Sequence, residues 1–99
     1  MTEIDIASRP RLALGVRMRL DRISGKLLLL RPEQGFELQG SASEVVKLCT
    51  AKLTVAEIVD RLAETYRDVA RDLIAEDVAR LLAQLTRRGL IVVGGSHDG

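Results

Sequence analysis

The sequence predicts an α+β domain of the winged helix-turn-helix kind, a three-stranded antiparallel sheet followed by three helices. Three observations predict it. Apolar residues alternate with period two from Leu14. The connections between the first three apolar segments are too short for parallel crossovers. After Gly40 the apolar spacing changes to that of a helix. With 99 residues, the chain suits one domain.

The elements follow in order. Residues 1–13 read as an N-terminal arm, where Pro10 interrupts regular structure. Leu14, Val16, Met18 and Leu20 alternate with Arg17, Arg19 and Asp21, which predicts a strand with one wet face. Asp21 to Gly25 supplies a turn, and Lys26 to Arg31 a second strand carrying four consecutive leucines. Pro32 to Gly35 predicts the next turn, with Pro fixing φ and Gly permitting a positive one. Phe36 to Gln39 forms a short third strand that ends at Gly40.

Ser41-Ala42-Ser43-Glu44 has the spacing of a capping box and opens a helix ending near Ala51. Thr54-Val55-Ala56-Glu57 is a second such box, and its helix runs to about Arg67 with Ile58, Val59, Leu62 and Tyr66 as its apolar stripe. A third helix starts near Leu73 and buries Ile74, Val78, Leu81, Leu82 and Leu85 on one face. Gly89 is its natural terminator, and Leu90 to Val93 add a closing strand. The domain is thus expected over 14–93, with a disordered tail over 94–99.

Composition removes several functional classes. Net charge is +1, so nothing drives the whole chain toward nucleic acid or an anionic membrane. The charge is uneven, however. Residues 1–31 hold seven basic and three acidic side chains, and residues 32–99 eight basic and eleven acidic. Neither a signal peptide nor a bilayer-spanning run is apparent, so a cytoplasmic protein is expected. The lone Cys49 lies on an apolar helix face with no histidine to activate it, and the one histidine, His97, falls in the tail. Glu76 and Asp77 are adjacent on a helix and point about 100° apart, so they do not converge as a catalytic pair. No phosphate-binding loop or dinucleotide fingerprint is present. The chain is expected to be no enzyme and to need no cofactor.

A winged helix fold raises the alternative of a DNA-binding regulator. Its recognition helix would be the third, which carries Glu76, Asp77 and only Arg80 in its central turns. Acidic charge there opposes phosphate contact, so nucleic acid is not expected as a partner. Two features favour a protein or peptide instead. The run Leu27-Leu28-Leu29-Leu30 implies cover on both faces of its strand, by the arm through Ile4, Ile6 and Leu12, by a second subunit or by a ligand. The third strand also leaves an edge on which an extended peptide could be added. Self-association through the first two strands, aided by the arm, is a further expectation.

The string Pro10-Arg11-Leu12 with Gly15-Val16-Arg17-Met18-Arg19-Leu20-Asp21, the segment Leu28-Leu29-Leu30-Arg31-Pro32-Glu33 and the segment Ser41 to Cys49 resemble the PqqD family of pyrroloquinoline quinone biosynthesis. So do Val55-Ala56-Glu57-Ile58-Val59 and the ending Asp77-Val78 to Gly89-Leu90-Ile91. The resemblance covers residues 10–91. It implies a peptide chaperone, or recognition element of a ribosomally made peptide pathway. Such a protein binds the precursor peptide PqqA and presents it to the radical S-adenosylmethionine enzyme PqqE, which crosslinks a glutamate and a tyrosine of the peptide. The resemblance places the peptide as a strand beside Phe36, Glu37, Leu38, Gln39 and Gly40, in a groove closed by the third helix. By helical arithmetic Ala75, Ala79, Leu82 and Thr86 share one flank of that helix, and Ala75, Ala79 and Leu82 are the expected groove residues. The other flank, with Asp77, Gln84 and Arg88, is polar and expected to be wet.

Overall fold

The computed structural model describes residues 4–93. The chain runs β1 (Arg11–Leu12), β2 (Arg17–Leu20), β3 (Leu27–Arg31), β4 (Gln34–Leu38), α1 (Ala42–Lys47), α2 (Val55–Thr65), α3 (Arg71–Arg87) and β5 (Ile91–Val92). β2, β3 and β4 form the expected antiparallel meander, in that spatial order. The expected tail over 94–99 lies outside the described residues.

Asp21 builds the first hairpin. Its carboxylate accepts hydrogen bonds from Ile23 N at 3.0 Å and Ser24 Oγ at 3.0 Å, a local turn that also needs Gly25 at φ 77°. Those bonds, led by the one from Ile23, hold the Asp21 carboxyl below its ordinary value. The second turn is tighter than the sequence implied. Arg31 pairs with Gln34, so Pro32 and Glu33 alone close it, and Glu33 rather than Gly35 takes the positive φ of 66°. β4 therefore begins at Gln34, two residues before the expected start, and ends at Leu38.

The two capping boxes fare differently. Thr54 has extended backbone, its hydroxyl accepts from Glu57 N at 3.1 Å, and Glu57 Oε1 accepts from Thr54 N at 2.8 Å. Ser41 sits in the helical region (φ −76°, ψ −2°), where its side chain makes no capping bond. α1 also stops at Lys47, short of Ala51, because Thr50 is bridged to Arg11 and Ala51 turns to φ 71° to give its N–H to Pro10 O.

The arm is stitched into the domain. Ser8 and Pro10 are buried, and β1 pairs antiparallel with β5, the closing strand. The carbonyls of Ser8 and Ile6 accept the N–H groups of Val55 and Ala56, each at 3.0 Å. These are the first two donors of α2, which a helix cannot satisfy from within.

α3 starts at Arg71, where the guanidinium clasps Asp60 Oδ1 at 2.6 and 3.1 Å and ties α3 to α2. It ends in a paired-bond terminator: Gly89 N donates to Thr86 O and Leu90 N to Leu85 O, with Gly89 at φ 76°. Arg31 reaches from the end of β3 to donate from Nη1 to Arg88 O and Gly89 O, both at 3.2 Å.

The core lies between the sheet and the helices, with Leu29, Val46, Ile58, Leu82, Leu85 and Ile91 at its centre. The register sorts the leucines by face. Leu29 aligns with Met18 and Phe36, and Leu27 with Leu20 and Leu38, on the core side. Leu28 and Leu30 point the other way, across from Arg19 and Arg17. Only Leu29 of the four is fully buried. The arm does not supply the expected outer cover: Ile4 and Leu12 pack on the core and Ile6 is exposed.

Candidate functional site

β4 lies at one end of the meander, so its far side pairs with no other strand among the described residues. In a hairpin closed by two residues, Arg31 and Gln34 are the hydrogen-bonded pair, and bonding alternates from there. Phe36 and Leu38 turn their main-chain groups into the ladder. Gly35 and Glu37 turn theirs toward the open side.

α3 runs beside this strand in the opposite sense. At one end the Arg88 guanidinium stands 4.9 Å from the centre of the Phe36 ring, a cation–π contact. At the other, Gln39 borders a hollow of about 370 Å³ whose remaining walls come from the start of α1, the end of α2 and the α3 side chains Asp77, Leu81 and Gln84. Val45, Leu62, Ile74 and Val78 give it an apolar floor, and Arg80 and Tyr66 edge it. Tyr66 donates its hydroxyl to Glu44 Oε1 at 2.5 Å, which fixes the end of α2 against α1. That bond, followed by partial desolvation, holds the Tyr66 hydroxyl above its ordinary value.

The structure brings together only part of the expected set. Gln39 lines the hollow, and Phe36 lies under Arg88. Glu37 is exposed and faces Lys26 Nζ at 3.8 Å. Gly40 borders a separate depression with Leu20 and Lys26. Leu38 and Leu82 are core residues, 2% and 0% exposed, so neither offers a groove wall. Ala75 packs against the core, and Ala79 borders a surface depression with Arg80, Ala83, Gln84, Arg87 and Arg88. On the flank expected to be wet, Asp77 and Gln84 line the hollow and Arg88 stands over Phe36. Sequence reasoning also missed Tyr66 as a wall of the hollow. Its signal was a lone tyrosine at the C-terminal end of an amphipathic helix.

Cys49 is not activated as a nucleophile. Burial pushes the Cys49 thiol up to about 12, and Sγ donates to Val45 O at 3.3 Å. His97 lies outside the described residues. Among the described residues no three His, Cys, Asp or Glu side chains cluster as metal ligands would, and no helix is long and apolar enough to cross a membrane.

Comparison with known proteins gives the family. The sequence profile described as Coenzyme PQQ synthesis protein D (PqqD) matches residues 26–91. The chain belongs to the PqqD family. A bifunctional coenzyme PQQ synthesis protein C/D from Methylorubrum extorquens is 38% identical over 82 residues, 83% of this chain but 22% of that protein, so this chain spans about a fifth of that relative. A PqqA binding protein from Gluconobacter oxydans is 33% identical over 79 residues, covering 80% of this chain and 81% of that one. Another, from Xanthomonas oryzae pv. oryzae, is 34% identical over 91 residues, covering 92% and 98%. The solution structure of the PqqD part of Methylobacterium extorquens PqqCD, described as a stand-alone recognition element for ribosomally synthesized and post-translationally modified peptides, superposes with a TM-score of 0.72 at 37% identity, over 84% of this chain and 87% of that one. The mixed fold of three strands and three helices is therefore the PqqD fold.

Proposed function

We propose that the protein binds the precursor peptide PqqA along β4 and presents it to the radical S-adenosylmethionine enzyme PqqE. The observation that carries this reading is the outward-turned main chain of Gly35 and Glu37 on the strand that leads into Gln39, which lines the hollow with Leu81 and Gln84. An extended peptide would add to β4 as a fourth strand, its main chain bonding to those two residues, while one of its side chains enters the apolar floor. Relatives that carry the name PqqA binding protein support the choice of peptide. The protein contributes no bond-making chemistry; it orders a flexible substrate and fixes its register. The regulator reading gains nothing from α3, since Arg80 is held by Asp77 at 2.9 Å and Arg88 lies on Phe36.

Isothermal titration with synthetic PqqA, followed by amide chemical-shift mapping, tests the reading. Saturable binding with the largest shifts at Gly35, Glu37, Gln39 and Leu81 is expected. Binding that leaves these amides unmoved would place the peptide elsewhere, and a duplex-DNA gel shift with no peptide heat would reverse the assignment.

A further inference from the structure

The meander has a second open edge, at β2, which the peptide reading does not use. Asp21 N donates to Lys26 O at 2.8 Å and closes the first hairpin, so by alternation Met18 and Leu20 turn their main-chain groups outward. All four residues of β2 are exposed. Leu20 is 56% exposed, and Leu14 and Ile23, which bracket the strand, are 98% and 97% exposed. Arg17, Arg19 and Arg22 stand among them, and none enters the ion pairs found among the described residues, which are Lys26–Glu37, Arg71–Asp60 and Arg80–Asp77. Isolated exposed leucines are ordinary; an edge strand bracketed by two nearly bare apolar side chains and carrying arginines outside those ion pairs offers main chain, apolar area and charge together.

Charge selects the occupant. A second copy pairing β2 to β2 would gather four arginines on one narrow ribbon, and like charges opposite one another are destabilising. A phosphate backbone would satisfy the arginines but leave Leu14, Leu20 and Ile23 in water. An acidic protein surface with an apolar centre satisfies both.

We propose that the β2 edge docks such a surface on the enzyme that receives the peptide, leaving the β4 groove free. This rests on the reading of the protein as a presenting adaptor. With β4, β3 and β2 between them, a peptide strand on β4 and a surface docked along β2 would be separated by about 19 Å, four strand spacings. About six extended residues of the peptide would span that distance, so it could reach the active site while both remain bound.

The test uses the full chain, an Arg17→Glu/Arg19→Glu variant and a Leu20→Ser variant, each confirmed as folded by circular dichroism. Binding of purified PqqE and of synthetic PqqA is measured separately at low and high ionic strength. The expected result is enzyme affinity at least tenfold weaker in the charge-reversed variant, with the salt dependence lost, severalfold weaker in Leu20→Ser, and peptide affinity unchanged in both. Unchanged enzyme affinity in both variants would overturn the docking site while leaving the adaptor reading intact. Wild-type protein that binds peptide but not enzyme would overturn both. Wild-type protein that binds enzyme at β2 but not peptide would overturn the groove reading alone. Sedimentation showing a dimer that the variants dissolve, or a DNA shift that they abolish, would assign the edge to those occupants instead.

Discussion

Tyr66 and Glu44 are joined across 22 positions of sequence by a 2.5 Å hydrogen bond that ties the end of α2 to α1 and walls one end of the hollow. Because the Tyr66 hydroxyl is held above its ordinary value, the folded chain keeps that proton longer than the unfolded chain does. The bond's contribution is fully present below pH ~10 and is lost as pH rises through the folded value. Denaturant titrations at a series of alkaline pH values should therefore show stability falling more steeply in the wild type than in Tyr66→Phe. Equal slopes would mean that the bond does not persist in solution.

Glu37 and Leu38 differ in the direction their amides face. Glu37→Pro removes a donor from the open side of β4, so the variant should stay folded and lose most of its peptide affinity. Leu38→Pro removes a ladder bond and disturbs a core residue, and should unfold the domain. Circular dichroism and peptide titration on both variants read the difference; a well-folded Leu38→Pro would show that the ladder register is wrong.

Cys49 should be chemically silent. With its thiol at about 12, roughly one molecule in 10⁴ is thiolate at pH 8. Labelling with an aromatic disulfide reagent should be slow in the native protein and immediate in denaturant. Fast native labelling would mean that α1 opens readily.

The Thr54 box predicts a specific stability loss. Thr54→Ala should cost about 1 kcal/mol by denaturant melt, whereas Ser41→Ala, at a box that does not form, should cost only a few tenths.

Truncation to Leu14 should be more damaging than the look of an arm suggests. It removes β1, buried Ser8 and Pro10, and the acceptors for Val55 and Ala56 N–H. Two backbone bonds alone represent about 2 kcal/mol, before any lost burial. A shortened chain that melts with the full one would show that the arm is detached in solution.

The meander, the three helices and the apolar face of α3 were legible because periodicity reports them directly. What failed did so for local reasons. Ser41 and Thr54 head the same four-residue pattern, but only an extended backbone lets the side chain reach the third amide, and Ser41 is helical. Gly35 looked like the turn residue, yet Pro32 closes the hairpin one step earlier and leaves the positive φ to Glu33. Helical arithmetic grouped Ala75, Ala79 and Leu82 on one flank. It gives angles between side chains and not the bearing of the neighbouring sheet, so it could not show that Leu82 would be buried while Gln84 and Asp77 line the hollow. The link from Tyr66 to Glu44 depends on tertiary packing and leaves no local signal.

Gly89 gives the groove a pivot. A Cβ at this position would sit 2.9 Å from Arg31 Nη1, so any larger residue would displace the guanidinium that fastens the end of β3 to the end of α3. β4 is registered on β3 and follows wherever that fastening holds it. The Arg31 guanidinium thus tethers the β3–β4 hairpin to the end of α3 across a position with no side chain. On the proposed binding mode, substitution there should change which peptides fit without altering any residue that faces them.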